Sequence, residues 1–171
     1  MRPFLRLFVS AGTVGAVLSI AACNRADNQR ADTVRPAVPG TYTAAEFQRL
    51  RWLDGRWRGR TEDDKPFFEQ YRFLDDSTIA MHTFADSTFT QANDSSRIVL
   101  RGGTVANQSR SARWVAERLD TLGVEFAPDS GATNYFAWSK ESPNSWTATL
   151  RWMDKEGKAR RVAYALQRMS P

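Results

Sequence analysis

Downstream of Gly55 the sequence predicts an antiparallel all-β domain, folded as a sandwich or a barrel. Three observations carry that expectation. In residues 145–153, Trp146, Ala148, Leu150 and Trp152 share one face while Thr147, Thr149 and Arg151 share the other; period two of this kind is a half-buried antiparallel strand. Val162, Tyr164 and Leu166 repeat the alternation across Asp154-Lys155-Glu156-Gly157, which reads as a hairpin turn. Further short runs, at 56–61, 66–74, 78–84, 96–101, 112–119, 123–127 and 133–139, are punctuated by Pro66, Gly102-Gly103, Gly123, Gly131 and Pro143 with no helix among them. Residues 85–95 and 102–111 are rich in Ser, Asn and Gln and read as loops or frayed edge strands.

Composition sets the outer limits. The chain has 171 residues, 42% of them hydrophobic and 25% charged, with a formal net charge of +5. That is one globular domain of ordinary size and too apolar for a disordered chain. A single cysteine, Cys23, and a single histidine, His82, exclude an intramolecular disulfide and a Cys/His zinc site; no metal is expected. P-loop, dinucleotide-binding and Gly-x-Ser-x-Gly signatures are all missing.

Residues 1–22 have the pattern of an export signal. Arg2 and Arg6 open the chain, Leu7 to Ala22 carries no charge, and small residues follow. The uncharged run falls short of the roughly 17–25 residues that span a bilayer. It ends Ile20-Ala21-Ala22-Cys23, which resembles the lipobox of bacterial lipoproteins. The resemblance implies lipidation of Cys23, cleavage before it, and membrane lipid as a partner. Asn24 at the next position implies the outer membrane, with the protein facing the periplasm; ordinary signal cleavage after Ala21 is the competing reading. Export argues against nucleic acid as a partner, and no aromatic-basic nucleic-acid module is visible.

Residues 23–42 are polar, carry Pro36, Pro39 and Gly40, and lack an apolar period; they read as a flexible tether with a reach on the order of 25 Å. The domain proper is expected over 43–169. It opens with Thr43-Ala44-Ala45-Glu46, which has capping-box spacing, and Phe47, Leu50 and Leu53 follow on one face. This predicts a helix over 44–53 that is too short to stand without docking its apolar side.

Leu50 to Gly59 includes Gly55, Trp57 and Gly59 in a Gly-x-Trp-x-Gly arrangement behind the helix. This resembles the opening of lipocalin-like (calycin) domains. The resemblance implies an up-and-down antiparallel β-barrel in which Trp57 plugs the closed end, and Gly59 is expected to let the strand bend. Glu69-Gln70-Tyr71 and Thr78-Ile79-Ala80-Met81 are similar to a pattern in uncharacterised bacterial lipocalin-like domains. Those domains often carry a later segment with His and Asp, where this chain has Phe136-Ala137-Trp138-Ser139-Lys140-Glu141-Ser142-Pro143. Haem-binding relatives of the same fold use a His late in the chain; Arg161 to Met169 contains none. No cofactor is expected.

The candidate site residues follow from the aromatic faces. Trp114, Trp146, Trp152, Tyr71 and Tyr164 fall on apolar strand faces, where they either fill the barrel or line a pocket. Glu69 lies between Phe67 and Tyr71; facing inward it is either half of a structural ion pair with an arginine or a ligand contact. His82 has the one side chain with a pKa naturally near neutrality, yet Ala80, His82 and Phe84 form a mixed face, as do Ile79, Met81 and Thr83, so its direction stays open. Arg56, Arg58 and Arg60 share the face opposite Trp57, either as a solvated outer wall or as a contact for phosphate headgroups. The expected function is non-enzymatic binding of a small apolar or amphipathic ligand. Two alternatives stand beside it. One is an envelope scaffold with a filled barrel and a protein partner; the other is a hydrolase or isomerase using Glu69 or His82. No catalytic group is assigned.

Overall fold

The structure is a computed structural model, and it describes residues 40–170. The export signal, Cys23 and most of the tether lie outside the described residues.

Thr43 caps the first helix as its spacing demands. Its hydroxyl accepts from the Glu46 N–H at 3.2 Å, and its own N–H donates to the Glu46 carboxylate at 2.9 Å. The helix is α-helical only over Ala44–Phe47 (α1) and continues as a 3-10 helix over Gln48–Leu53. The change has a reason in the sequence. Phe47, Leu50 and Leu53 recur every third residue, and at three residues per turn they align in a single row. All three are fully buried.

Ten strands follow among the described residues: β1 Gly55–Arg60, β2 Pro66–Asp75, β3 Thr78–Phe84, β4 Ala92–Arg101, β5 Thr104–Gln108, β6 Arg113–Leu119, β7 Gly123–Pro128, β8 Asn134–Ser142, β9 Ser145–Met153 and β10 Ala159–Arg168. Each pairs antiparallel with its neighbours in sequence, and β1 pairs with β10, so the meander closes into a barrel. This is the up-and-down architecture expected from the resemblance.

The polar stretches at 85–95 and 102–111 yield more strand than expected. Strand β4 starts at Ala92, and β5 forms around Val105. Weak alternation suffices there because a closed sheet pairs every strand on both sides. The turn between them also favours pairing: Gly102 and Gly103 both take positive φ, 56° and 80°, in a two-residue hairpin loop that joins Arg101 to Thr104. Two residues at the end of the stretch read as a tether bond to the barrel. The Gly40 N–H reaches the Ala116 carbonyl at 3.4 Å, and the Tyr42 N–H reaches the Gly103 carbonyl at 2.7 Å.

Register fixes which side chains look inward. Trp57 pairs with Glu69 and Arg168, Tyr71 with Met81, Ile79 with Ile98, and Ile98 with Asn107. In β10, Val162, Tyr164 and Leu166 are buried while Arg161, Ala163, Ala165 and Gln167 are exposed. Gly59 leaves room for a ring. A Cβ there would lie 2.1 Å from the Phe67 ring, so its missing side chain seats that ring across the sheet.

Candidate functional site

The barrel has two unlike ends. The helical segment packs beside β2, with Phe47 edge-on to Phe73 at 6.1 Å. Trp57 sits behind it, fully buried, donating its indole N–H to the Leu53 carbonyl at 2.6 Å. Arg168, at the end of β10, lies over the Trp57 ring with its guanidinium carbon 4.2 Å from the centroid. The same guanidinium donates to the carbonyls of Asp54 at 2.6 Å, Trp52 at 2.7 Å and Pro143 at 3.1 Å. One side chain thus ties the helical segment, the β8–β9 turn and the Trp57 plug together.

Above this floor stands a cluster of aromatic rings packed edge to face. Trp146 meets Trp57 at 6.0 Å, Tyr71 at 6.0 Å, Trp138 at 5.7 Å and Trp52 at 5.9 Å. Edge-on pairs of this kind set positive ring edges against negative faces. Trp146 Nε1 has no hydrogen-bond partner.

Away from the floor, the inward side chains grow more accessible along β3, β9 and the stretch of β4 from Ile98 to Asp94. On β3, exposure runs from 0% at Ile79 to 7% at Met81, and Thr83 is half-buried. On β9 it runs from 1% at Trp146 to 9% at Ala148, with Leu150 and Trp152 half-buried. On β4, Ile98 is sealed while Ser96 and Asp94 are not. Tyr71 and Trp146 are packed into the floor. Trp114, Trp152 and Tyr164 lie further up, with Tyr164 edge-on to Phe67 at 5.7 Å and the Trp114 indole donating to the Asn134 carbonyl at 2.9 Å.

Glu69 faces the lumen between these zones. Its carboxylate accepts a hydrogen bond from the Tyr71 hydroxyl at 2.8 Å, and among the described residues no lysine or arginine offsets its charge. The structural ion pair considered from the sequence is therefore not formed. Burial pushes its pKa up from 4.5 to about 7, against a smaller lowering by the Tyr71 hydrogen bond. Tyr71 is pushed well above its ordinary value, first by burial and then by the Glu69 charge. Glu69 remains half-buried in accessible surface although its charge is heavily penalised. A side chain deep within the barrel but reachable from its mouth accounts for both facts.

His82 does not belong to this site. It pairs with Gln70 and Ser95, whereas its neighbours Met81 and Thr83 pair with the lumen-facing Tyr71 and Glu69. Alternation places it on the outer surface, with Glu69 on the opposite side of the sheet. The mixed character of that outer face has a cause: Phe68, Phe84 and Phe89 pack together on it, with centroids 4.9–6.0 Å apart. Arg56, Arg58 and Arg60 also point outward and are exposed; Arg56 stacks over Phe89 at 4.8 Å and Arg60 pairs with Asp64 at 2.7 Å.

Sequence reasoning passed over three inward residues. Asn107 is 6% exposed, and its side-chain oxygen has no hydrogen-bond partner. It sits in a polar stretch with nothing to mark it. Arg168 stands at a strand end with nothing in the sequence to set it apart. Trp138 was legible, since Phe136 and Trp138 alternate on β8 as Trp146 and Ala148 do on β9. Among the described residues there is no group of three or more His, Cys, Asp or Glu placed to hold a metal ion.

No protein-family model matches the chain. No curated protein matches it either. Solved structures do. One is a redesigned β-barrel, b11L5F_LGL, with 11% identity and a TM-score of 0.35 over 72% of this chain and 96% of that one. Another is EF1p2_mFAP2b bound to DFHBI, with 13% identity and a TM-score of 0.34 over 72% of this chain and 99% of that one.

Proposed function

We propose that this barrel is a binding protein that takes a small apolar or amphipathic molecule into its open half. The observation behind this reading is the graded accessibility of the inward side chains. They are sealed at Trp57 and Trp146 and half-buried at Leu150, Trp152, Trp114 and Glu69. Apolar walls with a few polar groups are the usual make-up of a ligand pocket. Catalysis has less support, because the two groups considered for it, Glu69 and His82, lie on opposite faces of the sheet.

The test is titration of the purified chain with the neutral dye N-phenyl-1-naphthylamine, followed by tryptophan quenching. One saturable site is expected. Leu150→Trp, which adds bulk on the inward face of β9, should weaken binding at least about tenfold with the fold intact. If the dye does not bind, or Leu150→Trp binds it equally well, the barrel is a filled scaffold and the reading falls.

The sequence supports a place for this binder in the cell envelope. The basic start, uncharged run and Ile20-Ala21-Ala22-Cys23 support a lipid on Cys23, and Asn24 supports an outer-membrane protein facing the periplasm. Stable anchoring needs more than one acyl chain, which a lipidated N-terminal cysteine supplies. Cys23→Ser should move the protein from the membrane to the soluble fraction. Retention of the variant in membranes would overturn this part of the proposal.

A further inference from the structure

We propose that the ligand is a cationic amphiphile, a protonated amine on an apolar body, whose N–H donors meet the Glu69 carboxylate and the other unfilled acceptors of the lumen. The inference rests on the lumen being the binding site and goes on to the chemistry of what enters it.

Above the aromatic floor, where the Trp146 indole N–H is itself unpartnered, the unpaired polar groups of the lumen are acceptors. Among the described residues Glu69 receives only the Tyr71 hydroxyl. The Asn107 oxygen, on the inward face between Ile98 and Trp114, receives nothing and is almost wholly buried. A buried acceptor left unpaired destabilises the site, and a buried charge does so more. A ligand that brings donors removes that cost.

The inward-facing cations are not available to do the same. Arg168 is committed to three backbone carbonyls and the Trp57 ring. Arg160, at the mouth end of β10, is held by Asp154 at 2.7 Å. Lys140 pairs with Trp146 at the closed end of β8, and its charge does not reach Glu69.

The mouth adds acidity. Asp94 faces inward opposite Thr83, its carboxylate accepting from the Ser95 N–H at 2.6 Å. Glu62, in the β1–β2 loop, lies close enough to Tyr164 to act on its hydroxyl. An anionic ligand would pass these groups and bring a second negative charge beside Glu69. An ammonium gains attraction at each step, and the faces of Trp114 and Trp152 add cation–π contact. The chain as a whole carries +5, so a preference for cations would have to come from the lumen and not from the net charge.

Three probes sharing one tail decide the matter: decylamine, decanol and decanoate, titrated calorimetrically into the purified chain at pH 8. Decylamine should bind at least about tenfold tighter than decanol, and decanoate weaker than either. Glu69→Gln should bring decylamine to within about twofold of decanol, whereas the exposed Glu117→Gln should leave the preference for decylamine as it is in the wild type. Equal or tighter binding of decanol or decanoate overturns the amine inference and leaves the pocket standing. A preference that survives Glu69→Gln overturns it as well. If none of the three binds, the pocket reading itself falls. The wild-type ranking is decisive even if the variant does not fold.

Discussion

Arg168 and Trp57 are neighbours across the β1–β10 seam, and the guanidinium of one lies 4.2 Å above the indole of the other. The contact closes the barrel and its floor together, because the guanidinium also donates to the carbonyls of Trp52 and Asp54. Removing it strands acceptors at the end of the helical segment. Arg168→Ala is expected to cost about 2–3 kcal/mol, and Arg168→Lys to recover only part, since an ammonium lacks the planar fork. Urea denaturation checks this: the midpoint should fall with the slope unchanged.

Glu69 makes stability depend on pH. Its folded pKa, about 7, lies above its ordinary value of 4.5. The fold therefore favours the protonated form, and that contribution is complete below pH 4.5 and lost as pH rises through 7. The loss is on the order of 3 kcal/mol. Glu69→Gln should abolish this slope and leave the protein more stable than wild type at pH 8. Melting temperatures between pH 4 and pH 8 decide it; parallel curves for the two proteins would mean the carboxylate is solvated.

Gly59 and Phe67 form a coupled pair. Gly59→Ala drives a methyl into the Phe67 ring, which cannot retreat freely because it packs edge-on to Tyr164 at 5.7 Å. A cost of about 1–3 kcal/mol is expected. In a Phe67→Ala background the same change should cost markedly less, which a double-mutant cycle measures.

His82→Ala should leave both stability and ligand binding nearly unchanged, within about 0.5 kcal/mol. A loss of binding would mean that the side chain reaches the lumen.

The sequence made the barrel legible where one face was uniformly apolar. Val162, Tyr164 and Leu166 declare their direction without help from any other strand. His82 could not be placed that way, because Phe84 beside it is buried from outside by Phe89, a residue in a loop with positive φ of 56°. Local pattern carries no record of such a contact. Glu69 was legible as a carboxylate on an aromatic face, but its lack of a cation was not, since ion pairing depends on what other strands bring within reach. Asn107 and Arg168 were hidden for the same reason. One faces a wall made by β4 and β6; the other serves carbonyls more than a hundred residues earlier in the chain.

The seam between β1 and β10 has a further consequence. The first strand of the ring waits for the last, so the sheet remains an open ribbon with two bare edges until the final segment has been made and brought round. Closure over so long a loop is slow, and bare edges recruit other ribbons. A chain truncated before β10 would keep both edges for good, and its characteristic failure would be self-association through them.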